Sequence, residues 1–522
     1  MKTKYIYILL LGFFSILSTS CEERLDILKN GNLGSEDDFY QTDNDALQAS
    51  ANLYVNWRSQ YFNWFFTKNM LSDDIWCGGG SRGDNAAMEQ LNEYTFGTDH
   101  SMIESLYSGL YLVIYSANLI IDKIDADTDV KKNAVAEAKF FRAWAHFELV
   151  TMFGTAPIID HLLEPSEYRQ GNGTPEATWA FIERDLNDAI DSGALPSKTN
   201  VNDQETGIKV TKEVAQAYLG KAQLFQGKYA EAAATLDQVI ESQKYDLYQG
   251  GYDYLLHAVA DNSCESMLEI QMRNDPEQIW NTFTMLHIMQ GWRTDKLSYS
   301  SEAKAYIATG TYGFANPRED LYNAFVAMEG KDGYRLNCTM RTYEQMNQAG
   351  ITMQNGAYLY GNEGYFMWKN RPLIADCVQN FPAFQSLQYT NLRVMRYAEV
   401  LLMAAEAHIQ GNVSQTKALA YINQVRSRAQ LPLLDVVTMD DVKKEKRLEL
   451  CLESVRYQDL IRWGDASTVM AGQGKDIPSF TSQGVQFQNH NTSYGFKEKN
   501  KLLPIPAKEL LVNPNMHQNE NW

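Results

Sequence analysis

The stretch whose reading decides the fold runs from Thr211 to Ser242: TKEVAQAYLGKAQLFQGKYAEAAATLDQVIES. Val214, Ala217, Tyr218, Lys221, Ala222 and Phe225 recur at helical steps on one face, apolar except at the lysine. Gly227 ends that helix, and Tyr229 to Ile240 supplies a second. Leu219-Gly220, Gly227, Tyr229, Ala232 and Leu236 have the spacing of two antiparallel helices, with small residues where the helices cross. Such a unit cannot bury both faces alone, so the pattern predicts further helical hairpins in the same chain.

Working outward, the hairpin matches the offsets of tetratricopeptide (TPR) repeats. Ala134 to Phe153, AVAEAKFFRAWAHFELVTMF, is strongly helical and stops at Gly154, with Pro157 beyond. Arg396 to Gln410 stops at Gly411, Gln415 to Arg428 pairs with it, and Asp441 to Trp463 reads as a further helix. The expected architecture is mainly α: a helical scaffold with TPR-like hairpins. Its N-terminal region covers 21–245 and its C-terminal region 246–522, the two forming one unit. Between about 246 and 390 helical periodicity weakens and Gly, Asn, Tyr and Trp become frequent. Long loops, short helices and a few short strands are expected there, including a hairpin turn at Asn355-Gly356. The stretch 470–495 also reads as loop. Long irregular segments in a compact protein commonly carry function.

Composition narrows the partners. The 522 residues include 46 basic and 65 acidic side chains, a formal net charge of −19. Lys and Arg are too outnumbered to neutralise a phosphate backbone, so no nucleic-acid partner is expected. Aromatic residues make up 12%, a π-surface that must lie in the core, in an interface or under a ligand. Lys2 and Lys4 precede the apolar run Ile8 to Leu17. That run spans about 15 Å as helix, against about 30 Å for a bilayer core, so residues 1–20 read as a secretory signal peptide. Leu17-Ser18-Thr19-Ser20-Cys21 resembles a bacterial lipobox, although Leu17 stands four residues before the cysteine instead of three. Glu22-Glu23 resembles the acidic export tag of surface lipoproteins. Cys21 is therefore expected to be acylated, anchoring the protein to the outer membrane. The remaining cysteines, Cys77, Cys264, Cys338, Cys377 and Cys451, are widely spaced without a C-x-x-C pair. They read as small buried apolar residues, neither a zinc site nor a dense disulfide framework.

Five stretches taken together resemble the SusD/RagB family of outer-membrane nutrient-binding lipoproteins. They are CEERLDI; AEAKFFRAWAHFELVTMFGTAPII; LRVMRYAEVLLMAAEA with INQVRSRAQLP; EKRLELCLESVRYQDLIRWG; and LLPIPAKELLVNPNMHQNENW, in that order from residue 21 to 522. Asp332-Gly333-Tyr334-Arg335 and Phe366-Met367-Trp368-Lys369 are weaker blocks of the same resemblance. It implies a SusD-like helical fold, no catalytic activity, and glycan binding beside a SusC-like TonB-dependent transporter. The charged residues of these stretches, Arg142, Arg396, Glu399, Glu406, Arg447, Glu449, Glu453, Arg456 and Arg462, sit on helices with large apolar faces. They are expected to form buried ion pairs between packed helices.

Signals of catalysis are weak. Gly79-Gly80-Ser81-Arg82-Gly83 matches G-x-S-x-G, but the nucleophile elbow needs a buried strand before it, and Leu71 to Trp76 does not read as one. Asp125, Asp127 and Asp129 begin like a calcium loop, but Val130 stands at the glycine position and Ala136 at the bidentate glutamate position. The eight histidines are scattered, and no cofactor or metal site is read from them. A glycosidase needs two carboxylates across a cleft, whereas Asp73 and Asp74 are adjacent in sequence.

The ligand site is expected on loop aromatics with polar neighbours. Trp76 and Trp292 are chosen as the stacking surface, with Tyr299 and Trp280 beside them and Asp73, Asp74 and Arg293 as polar contacts. In the resembled family, glycan sites use aromatics from these two regions, so the carry-over is regional. Tyr54, Trp57, Tyr61 and Phe65 read as a buried helical stripe, and Tyr358, Tyr360, Tyr365, Phe366 and Trp368 as core. The leading functional reading is a surface glycan-binding lipoprotein that captures oligosaccharide for a SusC-like transporter. The alternative is a TPR-type lipoprotein that binds a peptide or protein partner in its concave face.

Overall fold

The computed structural model describes residues 39–278, 282–378 and 387–522. Cys21, the signal peptide and Trp280 lie outside them. Seven long helices come first: α1 (Asp43–Arg58), α2 (Tyr61–Met70), α3 (Ser101–Lys123), α4 (Asp129–Phe153), α5 (Pro175–Asp191), α6 (Lys212–Phe225) and α7 (Tyr229–Glu241). Four more follow near the C-terminus: α8 (Tyr397–Gln410), α9 (Gln415–Arg428), α10 (Met439–Glu449) and α11 (Arg456–Trp463). Their ends follow from local chemistry. Thr128 and Thr211 accept hydrogen bonds from backbone N–H groups in the first turns of α4 and α6, and Gly154 ends α4 at φ +72°.

From α3 to α9 each helix packs on the next, and α8 continues the stack directly on α7 although the residues between them form a separate region. The mainly α, TPR-like reading is therefore correct. Gly220 has the role expected of it, and Gly411, expected only to end its helix, shares that role. A Cβ on Gly220 would lie 2.6 Å from Leu236, and one on Gly411 would lie 2.9 Å from Tyr229. Asp237 of α7 receives His408 at 3.0 Å, Lys417 at 2.7 Å and the Tyr421 hydroxyl at 2.7 Å, fastening the second hairpin to the first. Trp57, Phe66, Phe140, Phe141, Trp144 and Phe147 fill the apolar core beneath.

The region between α7 and α8 is built from short antiparallel ladders. Ser266–Ile270 pairs with Leu392–Arg396, Leu297–Tyr299 with Ile351–Met353, and Met340–Thr342 with Tyr365–Met367. Phe314–Pro317 reaches back to pair with Ile75–Gly78. Three expectations need correction here. A turn does form at Asn355-Gly356, but the strands beside it pair elsewhere, so it closes no hairpin. The stretch 470–495, read as loop, contains a hairpin of Asp476–Thr481 and Gly484–Asn489, and Leu359–Tyr360 adds a third strand. Asp441 to Trp463 is not one helix. It breaks between Glu449 and Arg456, with Leu452 and Ser454 at φ +61° and +64°. The break is held because Asn69 accepts from the Ser454 N–H and donates to its hydroxyl, while Arg396 and Tyr252 donate to the freed Glu449 carbonyl.

At this break lies a buried network of five cations and five carboxylates. Arg335 meets Glu445 at 2.6 Å, Glu329 at 2.8 Å and Glu449 at 3.0 Å. Arg396 binds Glu265, Glu453 and Glu449; Arg428 binds Glu265 and Glu449; Arg426 binds Glu445; Lys369 binds Glu453. The charges balance, which is what makes their burial tolerable. Burial alone would raise the Glu453 carboxyl, but Arg396 and Lys369 outweigh it and hold it at about 2, against an ordinary 4.5.

Glu453→Gln strands part of this positive charge and should lower unfolding stability by about 3–5 kcal/mol in a denaturant titration. Because the folded carboxyl lies below its unfolded value, its stabilisation is complete above pH ~4.5 and is lost as pH falls towards 2. The wild-type melting temperature should fall across that window, and the variant's should fall less; parallel curves would refute the assignment.

Candidate functional site

The surface chosen by sequence begins at strand Ile75–Gly78, whose four residues are buried. This corrects the expectation that no buried strand precedes the Gly-rich loop. The ladder is two-stranded and antiparallel, which is not the framework of a nucleophile elbow. Gly78 turns the chain at φ +75°, where a Cβ would lie 2.3 Å from the Gly313 carbonyl. Only glycine lets the two strands meet this closely. The chain then runs across the face of Arg293: a Cβ on Gly80 would touch that guanidinium at 2.8 Å.

Arg293 is half-buried, ion-paired with Asp84 at 3.3 Å and Asp295 at 2.7 Å, and it donates to the Tyr312 carbonyl. Asp84 in turn accepts from the Gly80 N–H at 2.7 Å, which fixes the loop. Arg82 turns the other way, to Glu93, Glu89 and the Tyr360 hydroxyl. Burial of its ring and the neighbouring Glu89 push the Tyr360 phenol up to about 12, against the pull of Arg82. Strand Leu359–Tyr360 pairs with Asp476–Thr481, whose hairpin partner carries Phe487. Phe487 is 52% exposed, and its ring centre lies 6.5 Å from that of Trp76. Tyr312 and Tyr358 are also exposed.

The two sequence regions therefore meet, but several chosen residues do not face solvent. Trp292 is 2% exposed, stacked on Trp368 with ring centres 5.7 Å apart, and its indole N–H donates to the Met367 carbonyl. Trp76 is 4% exposed, with the Arg318 guanidinium 3.8 Å above its ring. The expectation of these two as open stacking faces is corrected: each lies under the surface with its ring already covered. Asp73 and Asp74 are corrected likewise. Arg456 grips Asp73 at 2.8 and 2.9 Å, and Arg447 reaches both aspartates and Asp320. Burial would raise Asp73, but Arg456 and Arg447 outweigh it and hold it at about 2. Tyr299 is half-buried against the small core around Trp292, and its buried hydroxyl has no hydrogen-bond partner. Of the chosen polar groups, Arg293 alone stays accessible. Sequence reasoning missed Tyr360, assigned to core, and Phe487, assigned to a loop. Alternation of Val485 and Phe487 was the signal for the exposed strand.

A sequence profile described as "SusD family" matches residues 264–522, and one described as "Starch-binding associating with outer membrane" matches 36–224. The chain belongs to the SusD family. SusD-like protein P2 of Formosa agariphila is 26% identical over 84% of each chain. The starch-binding protein SusD of Bacteroides thetaiotaomicron is 24% identical over the full length of both. Among solved structures, a laminarin-binding SusD-like protein superposes with a TM-score of 0.78 and 28% identity, over 92% of this chain and all of its own. The α-helical SusD-like fold is thus shared along nearly the whole described chain.

The new position of Trp292 makes a prediction. Trp292→Ala should cost about 3–5 kcal/mol of unfolding stability, the loss of a fully packed aromatic side chain. An unchanged denaturation midpoint would return Trp292 to the surface.

Proposed function

We propose that this SusD-family protein is a non-catalytic, glycan-binding lipoprotein that captures oligosaccharide at the outer membrane and passes it to a SusC-like TonB-dependent transporter. The observation that carries the glycan reading is the match, over 92% of this chain, to a laminarin-binding SusD-like protein, joined to a surface with the right chemistry. A sugar in water is already well hydrated, so binding exchanges its hydrogen bonds nearly one for one. Net affinity then comes from covering its C–H face with an aromatic ring. Phe487, Tyr358, Tyr360 and Tyr312 supply rings, and Arg82, Asp84 and Arg293 supply donors and acceptors. Trp76 and Trp292 act beneath, as the floor that fixes this surface. An open surface covering a few sugar rings implies affinities of about −4 to −8 kcal/mol, micromolar to millimolar, suited to a protein that releases its ligand onward.

Calorimetry with laminarin and starch oligosaccharides tests the reading. Tyr360→Ala and Phe487→Ala should each weaken binding by about 10-fold, ~1.4 kcal/mol, with the fold intact by circular dichroism. No binding across a panel of β- and α-glucans would sink the glycan reading, and steady release of reducing sugar by the pure protein would overturn the non-catalytic part. Unchanged affinity in both variants would move the site elsewhere.

The anchor rests on Cys21 and the residues around it. A lipidated cysteine carries more than one acyl chain, enough for stable attachment. No helix among the described residues is long and apolar enough to cross a membrane. Passage of ligand inward is the part assigned to the SusC-like transporter. Wild-type protein should fractionate with the outer membrane and, after gentle detergent extraction, co-purify with a large barrel protein. Cys21→Ala should shift it to the soluble fraction; a soluble wild type refutes the anchor, and recovery of this chain alone refutes the partner.

A further inference from the structure

We propose that His257, His287 and Asp376 form a buried binding site for a divalent transition-metal ion, Zn2+ being best matched to their donors. His257 precedes the short turn Ala258–Ala260, His287 lies on the short helix Leu286–Gln290, and Asp376 closes the turn Ile374–Asp376. All three are buried, and one donor atom from each lies within 4.8 Å of the others. His257 Nδ1 is 2.5 Å from Asp376 Oδ2, and the Ala258 N–H donates to the other carboxylate oxygen at 3.2 Å. The aspartate is therefore already oriented and ionised towards the imidazole.

The other ring nitrogens carry the argument. His257 Nε2 and His287 Nδ1 are buried without a hydrogen-bond partner, side by side in one cluster whose rings lie 5.9 Å apart. A bare buried polar atom costs about 1–3 kcal/mol, so the unpartnered His287 Nδ1, beside a second imidazole and a buried carboxylate, calls for an explanation. A cation supplies it. Neutral imidazole is the form that ligates metal. Gln388 reaches the same imidazole, and its buried amide oxygen offers a fourth donor. Two imidazoles with carboxylate and amide oxygens suit Zn2+, whereas Ca2+ and Mg2+ favour all-oxygen shells. Of the cationic neighbours, Arg393 is paired with Asp261 and Glu269, and Arg371 with Asp253. Zinc bonds of about 2.0–2.1 Å require the His257–Asp376 contact to open and His287 to swing inward, small rotations about side-chain bonds. The metal would clamp three segments far apart in sequence, which is why no short motif announces it.

The test uses the full mature protein, stripped with chelator and dialysed, then titrated with Zn2+ by calorimetry while bound metal is counted by mass spectrometry. One ion per chain should bind, and the melting temperature should rise with Zn2+ and fall again with chelator. His287→Gln and Asp376→Asn should each weaken uptake by roughly 100-fold. No uptake by the wild type would leave a purely hydrogen-bonded His–Asp–His cluster and overturn the proposal, as would equal uptake by both variants. If a variant does not fold, the Co2+-loaded wild type decides. Four-coordinate visible bands without thiolate charge transfer support the site, and a thiolate band assigns the ion to a cysteine and refutes it.

Discussion

The balance of charge inside the protein is the constraint on which the rest depends. Arg335, Arg396, Arg426, Arg428 and Lys369 bury five positive charges against Glu265, Glu329, Glu445, Glu449 and Glu453. Taking such groups out of water costs several kcal/mol each, and the cost is offset only when every partner is present with good geometry. The network therefore behaves as a register. Arg335 and Lys369 belong to the short-strand region, while Arg426, Arg428 and the three last glutamates belong to α9, α10 and the break after it. A shift of either part by one residue would leave full charges unpaired in the interior. An apolar contact would tolerate such a slip far better.

The second aspartate-rich cluster repeats this logic nearer the surface. Asp73 and Asp74 follow α2 and are held by Arg447 and Arg456, which flank the break between α10 and α11. The carboxylates that looked available to a sugar are fixing the base of the strand Ile75–Gly78. That strand in turn aims the Gly-rich loop at Arg293. The apparent binding residues thus act one layer below the surface they were expected to form.

The helices were legible because their signal is local. Periodicity and terminating glycines are contained within a single turn or two, and Gly220 even marked where two helices cross. The buried character of the charged family residues was also legible, since charges on an apolar face have to be paired. What was not legible depends on partners remote in sequence. Trp292 looks exposed beside Gly291 and Arg293 until Trp368 covers it. Phe487 looks like part of a loop until Pro478 is found opposite it in the sheet. The break at Glu449 to Arg456 reads as continuous helix, because Asn69, which stabilises it, lies at the other end of the chain.

The ladder between Ser266–Ile270 and Leu392–Arg396 brings the two ends of the intervening segment side by side, and Tyr397 N–H donates to the Glu265 carbonyl at its foot. A segment tied at its neck can lengthen or shorten with little penalty, since doubling a flexible loop costs only about 0.6 kcal/mol in closure entropy. The helical stack on either side would not register a change that leaves Arg335 and Lys369 on their glutamates. Evolution can therefore rewrite the head of this protein while inheriting its chassis. Descendants of one ancestral chain would then differ most where they meet their ligand and least where they hold themselves together.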